Sequence, residues 1–207
     1  MNRLLRAKHW QLFLLIVGIP IVFQIFFMTV FVGTIMRHQI EGGASNEPNV
    51  LMPIFFVGIA AVILLSVGTL MGWMYSIAIG LQSKVPEGVE LNVKRFKTFY
   101  WTPVIYIGLI ILFSVSTING YAPHPGVIAL IVPLHLFSIF CMFYILNFVA
   151  KTLKTVELQR AVTFSDFVGE FFLIWFYFIG IWILQPKINR FHRGEIEALG
   201  YDRDEVI

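Results

Sequence analysis

The chain has 207 residues, of which 58% are hydrophobic, 16% aromatic and only 13% charged. A soluble domain is about 45–50% apolar and about 25% charged. The mean hydropathy of +0.81 therefore excludes a water-soluble globular domain, a disordered chain and a coiled coil, and the single cysteine excludes a disulfide framework. The class that remains is an all-α, polytopic helical membrane bundle.

Four spans are predicted from long runs without Asp, Glu, Lys or Arg. A membrane-spanning helix needs about 20 apolar residues, because the hydrocarbon core is about 30 Å thick and a helix rises about 1.5 Å per residue. Three uncharged runs exceed this length, with 28, 36 and 53 residues. The longest contains Asn119-Gly120 followed closely by Pro123 and Pro125, which are turn signals, so it forms two spans. We predict one integral membrane domain, 1–207, with spans at about 9–36, 51–82, 99–116 and 127–150.

The orientation follows from the basic residues. Lys and Arg in short loops favour the cytoplasmic side. They cluster before the first span, in the second loop, after the fourth span and in the C-terminal tail, whereas the first loop carries only Arg37 and the third carries none. This pattern predicts a multi-pass membrane protein whose N-terminus is cytoplasmic.

A fifth hydrophobic segment, about 167–186, is the ambiguous part of the chain. Its uncharged core, Phe171–Pro186, has 16 residues, or about 24 Å of helix. If it crosses, 10 basic residues lie inside and 5 outside; if it does not, 14 lie inside and 1 outside. We expect a re-entrant segment that breaks at Gly180 and leaves the tail 187–207 in the cytoplasm. The alternative is a short fifth span with Glu170 and Lys187 at opposite interfaces.

Two features of the sequence predict contacts with neighbouring helices and with lipid headgroups. Small residues recur every fourth position on the second span, which lets a partner backbone approach closely; they are Gly68, Gly72, Ser76 and Gly80. We interpret them as an intramolecular packing face against the first or third span, and alternatively as a face between copies of the chain. Lys94, Arg95 and Lys97 precede the third span. They suit anionic lipid headgroups, or they only fix the topology.

Aromatic residues near the span ends are interpreted as interfacial anchors. These residues are Trp10, Trp73, Tyr75, Tyr100 and Trp101.

His135 on the fourth span is the main candidate for chemistry, because an ionisable residue inside a membrane is expensive to keep there. Polar residues follow it at three-residue intervals: Ser138, Cys141, Tyr144 and Asn147. This stripe predicts either interhelical hydrogen bonds or a path for protons or a solute.

Asp166 and Glu170 lie four apart, on one helix face. They would form the cytoplasmic mouth of such a path, or simply favour the helix dipole. Thr163 and Asp166 also resemble a capping box.

Motifs for other functions are missing. The sequence has no phosphate-binding loop, nucleophile elbow, His-Glu-x-x-His or Cys-x-x-Cys motif, so we predict no cofactor, no metal site and no catalytic residue. The pI of 9.1 reflects the topology-setting residues and does not indicate nucleic-acid binding.

The segments Leu153–Arg160 and Trp182–Arg190 resemble the C-terminal part of small, uncharacterised bacterial inner-membrane proteins. The resemblance implies a cytoplasmic-membrane location and no catalytic activity.

Two functions compete. One is a non-enzymatic accessory or scaffold subunit, whose partners are the lipid bilayer and other membrane subunits or a second copy. The other is a small channel or transporter that uses the stripe on the fourth span. An intramembrane enzyme is the least supported.

Overall fold

The architecture is entirely helical in the part of the chain that the computed structural model describes, residues 2–40, 51–118, 120 and 124–193. This confirms the predicted all-α bundle. The helices, in chain order, are α1 (Asn2–Arg6), α2 (His9–Phe13), α3 (Ile19–Ile40), α4 (Leu51–Gly80), α5 (Val93–Ile118), α6 (Pro125–Leu158), α7 (Phe164–Trp175) and α8 (Tyr177–Arg193). A five-residue π-helical segment, Leu14–Gly18, joins α2 to α3.

Four helical stretches are long and apolar enough to cross a membrane, as predicted. The first runs through α2, the π-helical segment and α3, and the others are α4, α5 and α6. Helix α5 begins six residues before the predicted span, and α6 continues eight residues beyond its own. Gln159 ends α6 in a left-handed conformation, with φ 49°. The first loop and most of the predicted turn after α5 lie outside the described residues.

The fifth hydrophobic segment is a helical hairpin rather than one helix. Helix α7 has 12 residues and α8 has 17, about 18 Å and 25 Å, so neither reaches across the hydrocarbon core of about 30 Å. They meet at Phe176, where the backbone leaves the helical region (φ −88°, ψ 55°) and the N–H donates to the Phe172 carbonyl at 2.8 Å.

The predicted break at Gly180 was wrong by four residues. Gly180 lies inside α8, fully packed against the backbone of Leu173 in α7, and a Cβ there would overlap the Leu173 carbonyl. The small residue is therefore needed for the close approach of the two helices and not for the turn itself. The predicted tail is also shorter, because α8 continues to Arg193; residues 194–207 lie outside the described part.

The two ends of the hairpin meet at one level of the bundle. The carboxylate of Glu170 and the ammonium of Lys187 are 3.1 Å apart. At the tip, the rings of Trp175 and Phe143 are 4.7 Å apart. Phe143 precedes Lys154 by 11 residues on α6, so the hairpin reaches about 16 Å beyond its charged ends. Glu170 and Lys187 therefore lie at the same end of the hairpin, as the re-entrant hypothesis expects, and not at the two ends of one straight helix.

The core gathers at the same end of the bundle as these charges. Its buried side chains come from α1, α2, the second half of α4, the first turns of α5, the second half of α6 and the hairpin. They include Leu5, Leu12, Met71, Trp73, Ile77, Phe96, Ile145, Leu153, Ile181 and Leu184. The other halves of the spans expose large apolar side chains, such as Val22, Leu112 and Leu130, each 68% exposed. Only one half of the bundle is therefore packed by its own chain in the described residues.

The small-residue face of α4 contacts the N-terminal helix. A Cβ added at Gly72 would lie 3.2 Å from Leu4, and one at Gly80 would lie 2.5 Å from Leu5. Ser76 is buried and its hydroxyl donates to the Gly72 carbonyl at 2.7 Å, whereas a Cβ at Gly68 meets nothing within 4 Å. The partner is thus α1, which precedes the first span, rather than the body of the first or third span.

The hairpin contact predicts a specific sensitivity at Gly180. Alanine there should lower the free energy of unfolding by about 2 kcal/mol or more, because backbone must move to admit a Cβ, which corresponds to about 4–8 °C in Tm. The measurement is thermal unfolding in detergent followed by a thiol-reactive dye, since Cys141 is fully buried and reacts when the fold opens.

Gly169→Ala is the matched control, because a Cβ on that exposed α7 position meets nothing within 4 Å and alanine favours a helix. Equal Tm values for Gly180→Ala and the wild type would contradict the close packing of α7 on α8.

Candidate functional site

Four charged side chains form a closed ring where α6 meets both helices of the hairpin. Lys154 and Glu157 come from α6, Glu170 from α7 and Lys187 from α8. Each ammonium contacts both carboxylates: Lys154 at 2.9 Å from Glu157 and 3.1 Å from Glu170, and Lys187 at 2.6 Å and 3.1 Å from the same two residues. The ring carries no net charge and is mostly shielded from solvent, with side-chain exposures of 10–21%.

The ring is stable because every charge has two opposite neighbours. A single buried charge is costly, and an ion pair offsets that cost only when its partners are well placed. Burial alone would raise the pKa of Glu170, but the hydrogen bond from Lys154 and the charge of Lys187 outweigh it and hold the pKa below its ordinary value. Glu170 is therefore ionised at neutral pH and fastens α7 to α6 and α8.

Asp166 has a separate and local role. Its carboxylate accepts hydrogen bonds from the Thr163 backbone N–H at 2.7 Å and hydroxyl at 2.9 Å, and pairs with Arg160 at 2.9 Å. These contacts, with Arg160 contributing most, lower the pKa of Asp166 to about 2. The capping box at the start of α7 is confirmed. Asp166 is thus occupied by the helix start and does not join Glu170 in one acidic mouth.

His135 forms one polar contact at the other end of α6. Its Nδ1 lies 2.8 Å from the hydroxyl of Tyr106 on α5, and the two rings are 5.5 Å apart. Tyr106 is buried, whereas His135 is exposed on the surface of the bundle. The pair therefore joins α5 to α6, the interhelical hydrogen bond that the sequence offered as one alternative.

The remaining residues of the predicted stripe face different neighbours. Tyr144 packs against Phe99 at 4.8 Å between ring centres and lies under the guanidinium of Arg95 at 5.4 Å. Ser138 is buried, and Asn147 is half-buried farther along α6. Lys154 follows His135 by 19 positions, about 28 Å of helix. Among the described residues, the structure does not bring the histidine, the tyrosine and the charge ring into one continuous lane.

Gln185 is a buried polar residue that the sequence analysis missed. Its amide oxygen accepts from the Trp73 indole N–H at 2.7 Å, and its amide nitrogen donates to the carbonyls of Leu4 and Ala7 at 3.1 and 2.9 Å. The carbonyls at a helix C-terminus lack partners of their own, so Gln185 completes the end of α1. A glutamine beside a proline in an apolar run was the available signal.

The predicted aromatic anchors divide into two groups. Trp10 and Trp101 are 45% and 55% exposed, as an interfacial anchor requires. Trp73 is fully buried and Tyr100 is 7% exposed, and Tyr75 packs against Tyr100 with ring centres 4.8 Å apart. These three residues belong to the core, because neighbouring helices cover the positions that would otherwise meet the lipid.

The basic cluster before the third span lies in the first turns of α5. Lys94, Arg95 and Lys97 are all exposed. Arg95 differs from the two lysines, because its guanidinium lies over two rings, 5.5 Å from the centre of Phe99 and 5.4 Å from that of Tyr144. None of the three forms an ion pair with a described acidic residue.

Metal binding finds no support among residues 2–40, 51–118 and 124–193, where no group of three or more His, Cys, Asp or Glu side chains is placed to hold an ion. Comparison of the chain with models of known families, with curated proteins and with solved structures found no match. The fold and its polar contacts define a membrane-embedded helical protein with a hairpin fastened by an internal charge ring.

The charge ring predicts a pH-dependent stability. Glu170→Gln should lower the free energy of unfolding at pH 7 by about 2 kcal/mol, because both lysines lose one of their two carboxylates. A lowered pKa in the folded state gives stability above the ordinary carboxyl pKa of 4.5, and this stability is lost as the pH falls below it. The gap between the wild type and the variant should therefore stay constant from pH 7 to about 5, narrow only below pH 4.5, and close as the pH falls through the lower pKa of the folded state, measured by the loss of helical circular dichroism on heating.

Glu90→Gln is the control, since Glu90 is exposed and belongs to none of the ion pairs of the described residues. A gap for Glu170→Gln that stays constant down to about pH 3, well below the ordinary carboxyl pKa, would show that the carboxylate charge is not what stabilises the hairpin.

Proposed function

We propose that the protein is a non-enzymatic integral membrane protein, an accessory or scaffold subunit of the bacterial cytoplasmic membrane. The observation that carries the proposal is that the main polar groups of the described residues are engaged in contacts within the chain itself. The charged ring, the His135–Tyr106 pair and the Gln185 contacts join one element of the chain to another, and the capping box secures the start of α7. No continuous polar lane connects them in the described residues, so the groups serve the fold rather than a transported ion.

The exposed apolar surface supports a role in assembly. In the most apolar window of each span, only 6–17% of residues are buried by the chain itself. The halves of the spans away from the charge ring present side chains such as Ile25, Leu112 and Leu136, which are 62–68% exposed. Lipid or helices of another membrane subunit must cover this surface, because apolar patches of this size are not stable in water.

The orientation proposed here places the hairpin ends in the cytoplasm. Contacts gather the basic segments at one end of the bundle: Arg6 donates to His192 at 3.1 Å, and Gln159 donates to the carbonyl of Lys84 at 3.2 Å. The charge ring lies at the same end. Of the 15 basic residues, 14 flank this end in sequence, and the cytoplasmic side is the one that Lys and Arg favour.

Single-cysteine labelling tests this topology. In a Cys141→Ser background, Glu87→Cys and Arg190→Cys should react with a membrane-impermeant maleimide only in inverted vesicles, and His124→Cys only in intact spheroplasts. All three side chains are exposed, so the accessible face decides the result. Labelling of Arg190→Cys from the same face as His124→Cys would mean that the hairpin crosses the membrane.

The functional proposal is tested by reconstitution and by isolation of the native assembly. Liposomes that contain the wild type or His135→Ala should show the same ion and solute flux as protein-free liposomes. Mild detergent extraction of native membranes should yield a complex in which a second membrane protein is present in fixed stoichiometry. Flux above background that His135→Ala abolishes would replace the scaffold by the transport function.

A further inference from the structure

Arg95 is held in place without an acidic partner. Its guanidinium lies over the faces of Phe99 and Tyr144, at 5.5 and 5.4 Å from the ring centres, and no carboxylate of the described residues pairs with it. Its backbone N–H donates to the Asn92 side chain at 3.0 Å, which fixes the first turn of α5. A guanidinium that stacks on rings keeps its N–H edge free for hydrogen bonds.

The charges around this guanidinium favour an anion. Lys94 and Lys97 are exposed in the same turns of α5, and the N-terminus of α5, which begins at Val93, is the positive end of its helix dipole. The nearest acidic residues in sequence, Glu87 and Glu90, are exposed and form no ion pair among the described residues.

An apolar seam continues from the guanidinium along the junction of α5 and α6. The ring of Phe99 lies 6.1 Å from that of Phe140 and 6.4 Å from that of Phe137. Phe140 is 55% exposed and Phe137 is 47% exposed, so the seam opens to the surroundings of the bundle. Arg95 is at the charged end of α5, and the seam runs from it toward the middle of the span.

We propose that Arg95 binds the phosphate of an anionic phospholipid, with one acyl chain lying in the seam formed by Phe99, Phe137 and Phe140. Arg is suited to this task, because its planar N–H fork matches two phosphate oxygens. Lys94 and Lys97 add electrostatic attraction for the phosphate but do not fix its orientation. The seam favours a lipid over a free phosphate, because a free phosphate has no apolar part that could pack against the surface below the guanidinium. The inference requires only that the helices lie in a membrane and is independent of the scaffold function.

Native mass spectrometry of the detergent-solubilised protein tests the proposal with phosphatidylglycerol and phosphatidylethanolamine as probes. We expect the wild type to bind phosphatidylglycerol at least about tenfold more tightly than phosphatidylethanolamine. Arg95→Gln should remove this preference, and Arg95→Lys should retain part of it. Lys97→Gln is the matched control, and its loss should not exceed about fivefold, the effect of one basic residue near a charged surface.

Two further variants and a competitor separate the possible sources of the signal. Phe140→Ala should weaken phosphatidylglycerol binding, whereas Phe172→Ala, another exposed phenylalanine that lies outside the seam, should not. Glycerol phosphate, which lacks acyl chains, should not displace the lipid. Equal losses in Arg95→Gln and Lys97→Gln, equal binding of the two lipids, or displacement by glycerol phosphate would each overturn the proposal. Tm values from the thiol dye verify that every variant is folded.

Discussion

The ion pairs between α6 and the hairpin are the contacts on which the rest of the packed end depends. An apolar segment with a charge at each end must either cross the membrane or fold back so that both charges stay at one level. Sixteen uncharged residues make only about 24 Å of helix, so folding back is the arrangement that satisfies both ends. Glu170 and Lys187 then meet, and Lys154 and Glu157 of α6 give each of them a second neighbour of opposite charge. The closed hairpin brings α8 to α1, where Gln185 reaches the last carbonyls of that helix.

The uneven packing of the bundle follows from the same arrangement. Lipid chains are as apolar as leucine, so apolar side chains alone do not drive helices together in a membrane. Close packing develops where polar contacts and small residues hold the helices, which is the end that contains the charge ring, Gln185, and the Gly72 and Gly80 face of α4. The other halves of the spans have the Tyr106–His135 pair and broad exposed apolar surfaces. A surface of that kind is suited to contacts with lipids and other helices.

The spans were predictable because the exclusion of charge from lipid is a property of each residue by itself. The hairpin was only partly predictable, because its geometry depends on pairs of residues. Four aromatic residues in a row, 175–178, give no sign of a helix break. Gly180 was visible, but a glycine serves a turn and a close helix contact equally well, and only the position of Leu173 decides between them. Trp73 was likewise interpreted as an interfacial anchor, because the sequence does not show that Gln185 accepts the hydrogen bond of its indole N–H.

The polar stripe on α6 is a case where spacing alone was informative. Residues three apart on a helix differ by about 60° in direction, so a stripe from His135 to Asn147 turns through about 240° and cannot face one pore. The structure agrees with this geometry, since His135 contacts α5 at one end and Tyr144 lies under Arg95.

Arg95 and Lys187 show two uses of a basic residue at the same end of the molecule. Lys187 is neutralised inside the fold by two carboxylates, whereas Arg95 is held by rings that leave its charge available. The internal charges therefore maintain the shape of the bundle, and the charge that remains outside is positioned for the surrounding bilayer.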